Sequence, residues 1–169
     1  MKKNSTKKLV RLSMFLALGV VLNIIESLMP VLIPVPGVKL GIANTIGLIV
    51  LYFYGPKEYL LIGFLRVLIV ALLRTGIGST AFLLSLSGWL ISSIFVLIVF
   101  FFNKASIYGL SMGSAVMHGV GQIIMVMIIY QMPKMINYLP ILVISGIISG
   151  NILALLSSEL LKRLDRIIK

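Results

Sequence analysis

Six long apolar runs lie along the chain, at about 9–29, 38–54, 58–74, 79–102, 109–131 and 139–161. A helix that crosses a bilayer needs about 20 mostly apolar residues. The breaks between the runs carry turn chemistry. "GPKE" at 55–58 combines Gly, Pro and charge, and "RTGIGST" at 74–80 has two glycines. "NKAS" at 103–106 is short and polar, and "QMPKMIN" at 131–137 holds a Pro and a Lys. The pattern predicts an all-α integral membrane protein, a bundle of six transmembrane helices forming one domain over residues 1–169. No repeat or low-complexity tract interrupts it.

A few polar residues fall inside these runs. Lipid offers them no hydrogen bonds, so each needs a partner within the protein. Arg66 sits near the centre of the third run, where an Arg costs about 2.5–3.5 kcal/mol on insertion scales. It needs a carboxylate such as Glu26, backbone carbonyls, or the anion of a bound molecule. Glu26 lies near the far end of the first run and shares a helical face with Asn23, three residues before it. On the fifth run Ser114, His118 and Gln122 follow at i, i+4 and i+8 and form one polar stripe. Beside it Ser111, Ala115 and Gly119 form a small-residue stripe that lets another helix approach closely. Ser85, Gly88 and Ser92 on the fourth run, and Gly146 and Gly150 on the sixth, read the same way. Ser13 and Ala17 make a small-residue pair on the first. It serves either packing within the bundle or docking to another membrane subunit.

The stretch "PVPGVKLGIAN" at 34–44 is too rich in Pro and Gly for a plain helix and too apolar for a solvated loop. Non-helical backbone at membrane depth is tolerated only where protein buries it or a cavity runs beside it. Pro34, Pro36 and Gly37 would form a stiff cap at the end of the bundle, either a rigid connection or a lid over a pocket. Lys39 and Asn44 follow beside the ends of the helices bearing Glu26 and Arg66.

Composition sharpens this picture. Of 169 residues, 60% are hydrophobic and 11% charged, where a soluble domain carries about 25% charged residues. The solvent must be lipid. The net charge of +11 could suggest nucleic acid, but its placement argues against that. Five basic residues lie in "MKKNSTKKLVR" and four in "KRLDRIIK", at the ends of apolar runs. With the N-terminus in the cytoplasm, eleven Lys and Arg fall inside and three outside, namely Lys39, Arg74 and Lys134. That bias predicts cytoplasmic termini and places "PVPGVKLGIAN" on the outer side. The first run reads as an uncleaved helix rather than a signal peptide. With no Cys and a single His, a metal site is not expected.

The stretches "IESLMPVLIPVPGVKLGIANTIGLIVLYFYGPKEYLLIGFLRVLI", "AFLLSLSG" and "AVMHGVGQ" resemble the Gx transporter family. This family is also labelled heptaprenyl diphosphate synthase component I. In size and layout the chain is similar to the substrate-binding S components of energy-coupling factor (ECF) transporters. That resemblance implies a substrate pocket near the outer face, closed by the loop between the first two helices. It also implies docking through a small-residue surface on the first helix, here Ser13 and Ala17. The docking partners would be a transmembrane coupling subunit and two cytoplasmic ATPases in a bacterial plasma membrane. The chain has no GxxxxGK[ST], so ATP hydrolysis would belong to those partners. Polyprenyl synthases bind Mg-diphosphate through Asp-rich motifs, and this chain has one Asp, Asp165, near its tail. Catalysis and a cofactor are therefore not expected.

The expected substrate-binding set is Glu26, Lys39, Asn44, Arg66, His118 and Gln122, with Arg74 at the rim. Its charge balance favours a small anionic, partly apolar ligand: a carboxylate vitamin, a quinone precursor or an isoprenoid phosphate. Two alternatives are a membrane component of prenyl diphosphate or quinone biosynthesis, and a membrane accessory protein with no ligand.

Overall fold

The computed structural model describes residues 2–28, 41–102 and 106–168, with side chains over 6–28, 41–102 and 106–166. All regular structure among them is helical. In chain order the helices are α1 (Lys2–Leu28), α2 (Ile42–Tyr54), α3 (Pro56–Val70), α4 (Thr80–Phe101), α5 (Ile107–Tyr130) and α6 (Leu139–Ile168). A π-helical turn, Ala71–Thr75, extends α3, and a 3-10 turn, Pro133–Tyr138, leads into α6.

The boundaries follow from the turn residues. Gly55, at φ 95°, separates α2 from α3, a conformation only glycine adopts cheaply. Pro56 then occupies the first position of α3, where its missing N–H costs nothing. Ser79 and Ser106 cap α4 and α5, accepting from Phe82 N at 3.2 Å and Gly109 N at 3.3 Å. Each offers its hydroxyl to an amide that has no partner inside its own helix.

Among the described residues, four segments are long and apolar enough to cross a membrane: Thr6–Leu28, Thr80–Phe101, Ile107–Tyr130 and Pro133–Arg166. The protein is therefore a multi-pass membrane protein, and four of the six expected spans are long and apolar enough among the described residues. The other two helices fall short for different reasons. α2 has 13 residues, which rise only about 20 Å against a hydrocarbon core of about 30 Å. α3 and its π turn carry Lys57, Glu58, Arg66 and Arg74 within residues 56–75.

The helices form a ring of neighbours. α1 packs on α2 and α3, α3 on α4, α4 on α5, α5 on α6, and α6 returns to α2. The short α2 is the most enclosed helix, with Ala43, Thr45, Ile46, Leu48, Ile49, Val50 and Leu51 all buried. On one side Ile46 and Val50 meet Leu12 of α1 and Ile62 of α3. On another, Leu48 and Leu51 meet Tyr59 and Val96.

Glycines set the spacing of α4, α5 and α6. A Cβ at Gly121 would lie 2.5 Å from Ser87 O and 2.9 Å from Gly88 Cα. A Cβ at Gly150 would lie 2.5 Å from Met112 Cα, and one at Gly146 would lie 3.0 Å from Val116 N. Backbone meets backbone at these points, the close approach that small residues permit in membranes. Ser111 adds a hydrogen bond from its Oγ to the Gly150 carbonyl at 2.8 Å. The predicted small-residue stripes on these three helices are thus packing surfaces.

Candidate functional site

Arg66 is 7% exposed, and a guanidinium buried that deeply must be held. Its Nη1 donates to the carbonyl of Ala43. Its Nη2 donates to Asn44 Oδ1 at 3.0 Å. Both acceptors belong to the first turn of α2, where the start at Gly41, φ 78°, turns Asn44 toward α3. The Gly41 amide in turn donates to Glu26 Oε1. Glu26 therefore fastens the start of α2 to α1, and Arg66 fastens it to α3. The Arg66 stem passes beside Gly19 of α1, where a Cβ would lie 3.4 Å from Arg66 Cδ.

Of the two internal partners expected for Arg66, the carbonyl is the one in contact. Lys8–Glu58 and Glu159–Arg163 are side-chain ion pairs among the described residues. Both lie toward helix ends. Glu26 and Arg66 instead line one cleft without closing on each other.

That cleft gathers Glu26, Asn44, Arg66, His118 and Gln122, five of the residues predicted as binding. They come from α1, α2, α3 and α5. α4 contributes Ser85, and α6 contributes Ser145 and Ser149. His118 stands against α4, where a Cβ at Gly88 would lie 2.7 Å from its Cε1. Without a side chain at Gly88, the imidazole fits between the two helices.

The cleft is narrow, about 80 Å³, room for roughly six waters at about 10–15 Å³ of occupied volume each. A wider cavity of about 260 Å³ adjoins it and shares Asn23, Val67, Ser85 and Gln122. Its other walls include Val70, Ala71 and Phe82, and Arg74 lies on it. Arg74 is exposed and donates to Ser27 Oγ. Arg74, expected at the rim of the pocket, lines the neighbouring cavity and not the narrow cleft. A still larger groove of about 450 Å³ runs beside Leu51, Phe100, Leu110 and Lys162. Its walls are mostly hydrocarbon, and it gathers none of the predicted residues.

Lys39 and the predicted lid residues Pro34, Pro36 and Gly37 lie outside the described residues. Ser13 and Ala17 are both exposed on α1, so they do not pack within the described bundle. Among the described residues no three His, Asp or Glu side chains gather as metal ligands would.

Sequence reasoning missed Ser145 and Ser149. They are spaced i, i+4 on α6 beside Gly146, a signal that was present but hidden by the glycine pattern. Ser85, read as packing, also lines the cleft. Neither Ser145 nor Ser149 leaves its hydroxyl idle, since they donate to Leu142 O at 3.0 Å and Gly146 O at 3.3 Å. Their remaining lone pairs can still accept from a bound group.

No curated protein matches the chain, and neither does any solved structure. The family model described as heptaprenyl diphosphate synthase component I matches residues 15–160, and the chain belongs to that family.

Proposed function

We propose that this protein is the membrane substrate-binding subunit of an ECF-type importer in a bacterial plasma membrane. It captures a small, partly apolar molecule with an acidic group at the outer face. The observation that carries this reading is the convergence of Glu26, Asn44, Arg66, His118 and Gln122 on one cleft from four helices. Polar groups within the apolar runs of a bilayer protein are expensive and face cavities or partners. Here they share a cleft, and the cavity beside it is partly apolar. The ligand's polar head sits in the narrow cleft, and its apolar part lies in the adjoining cavity under Arg74.

Six spans with cytoplasmic termini would put this cleft on the outer side, following the distribution of Lys and Arg. A cysteine placed at position 36 of this Cys-free chain tests that topology. Labelling only from the cytoplasmic side contradicts it. Lys39, Pro34, Pro36 and Gly37 would then stand over the cleft as cation and lid. The exposed Ser13 and Ala17 on α1 are the docking surface for a coupling subunit that works with cytoplasmic ATPases. Co-purification from native membranes is the test of that assignment. Recovery of a coupling subunit and ATPases supports the importer, and their absence contradicts it.

The family description favours a second reading, a non-catalytic membrane component that serves prenyl diphosphate synthesis. Under that reading a polyprenyl synthase subunit, rather than an ATPase, co-purifies.

A further inference from the structure

We infer that the ligand of this cleft is dipolar, carrying a basic group for Glu26 as well as an acidic group for Arg66. The inference rests on the binding reading above and names its substrate class.

Both charges are held in place by neutral groups. Arg66 is oriented by the Ala43 carbonyl and the Asn44 side-chain oxygen. Glu26 is oriented by the Gly41 amide. Such contacts fix each charge in position, and Glu26 acts on Arg66 through space without touching it, so each keeps room for an opposite charge beside it. The two could have compensated each other, yet no Arg66–Glu26 ion pair forms among the described residues. They face one narrow space from α1 and α3. A molecule with separated charges of both signs meets both requirements at once.

The rest of the lining agrees. Asn23, Ser85, Gln122 and Ser145 are neutral groups that can donate or accept. A diphosphate carries several negative charges, and Arg66 is the only Lys or Arg among the described residues of this cleft. It would place those charges beside Glu26.

The test is thermal stability of the purified full-length protein in detergent with three sets of named probes. The first is dipolar, the common L-amino acids and 4-(aminomethyl)benzoate. The second is their anion-only counterparts, short-chain carboxylates and 4-methylbenzoate. The third is inorganic diphosphate and geranyl diphosphate. At least one dipolar probe is expected to raise Tm by about 2–4 °C, with its anion-only counterpart weaker by tenfold or more in apparent affinity. Glu26→Gln is expected to remove that preference without removing binding of the acidic group. If Glu26→Gln does not fold, the wild-type comparison decides alone. Stabilisation by the anion-only or diphosphate sets, and not by the dipolar set, overturns the inference and leaves the binding reading standing. Stabilisation by none of the sets also overturns it, and the binding reading is then judged by what co-purifies with the protein.

Discussion

The two halves of the bundle are held together by different chemistry. In α4, α5 and α6 the helices meet backbone to backbone at Gly121, Gly146 and Gly150. In α1, α2 and α3 a chain of polar contacts runs from Glu26 through Gly41 to Asn44 and Arg66. The first is mainly close backbone packing, with an interhelical hydrogen bond from Ser111 to Gly150. The second adds to its apolar contacts at Leu12, Ile46, Val50 and Ile62 two charges, Glu26 and Arg66, hydrogen-bonded to neutral groups. A glycine-packed wall thus faces a clamp of held charges. His118 and Gln122 are the side chains the wall lends to the cleft.

Added volume in the wall carries the largest expected effect. Gly121→Val would place its Cβ against the backbone of Ser87 and Gly88, which cannot rotate away. A loss of about 3 kcal/mol, the upper end of the overpacking range, is expected in thermal unfolding. A near-wild-type Tm would show that α4 and α5 separate easily.

The clamp should respond less steeply and in a different way. Arg66→Leu leaves the Ala43 carbonyl and the Asn44 amide oxygen without their donor, at a cost of about 1–3 kcal/mol. Adding Glu26→Gln should not restore it. Coupling between the two sites is expected below about 1 kcal/mol, because they are not an ion pair. Full rescue in the double mutant would make them one buried pair and remove the reason for a ligand.

Smaller effects sharpen the contrast. Ser111→Ala removes one interhelical hydrogen bond, to Gly150, worth about 0.6 kcal/mol in a membrane bundle. A far larger loss would mean that the wall also depends on polar contacts. Ala17→Trp lies on an exposed face of α1 and should change stability by no more than about 0.5 kcal/mol. Its effect belongs in co-purification with motor subunits, which it should abolish. Wild-type recovery of those subunits would remove Ser13 and Ala17 from the docking surface.

The sequence announced the wall more clearly than the clamp. Glycine and serine stripes at i, i+4 are local, and a helical repeat places them on one face before any neighbour is known. Five cleft residues were also legible, because polar side chains inside apolar runs stand out. The partner of Arg66 was not. Asn44 and Ala43 lie 22 and 23 positions away, and charge alone pointed as readily to Glu26. Nor did periodicity show that α2 is a short enclosed helix. Its apolar run looked like the other spans, because burial among helices and burial in lipid select the same residues. Ser145 and Ser149 were overlooked because Gly146 and Gly150 already accounted for that face.

The central claim is that the cleft is a binding site. Native mass spectrometry of small molecules that co-purify with the wild-type protein and with Arg66→Lys tests it most directly. Lysine keeps the charge and loses the two-pronged geometry that spans Ala43 and Asn44. The account predicts a small molecule with an acidic group, bound one to one in the wild type and at least tenfold depleted in Arg66→Lys. A wild-type protein that releases nothing, or equal recovery from both proteins, would contradict it.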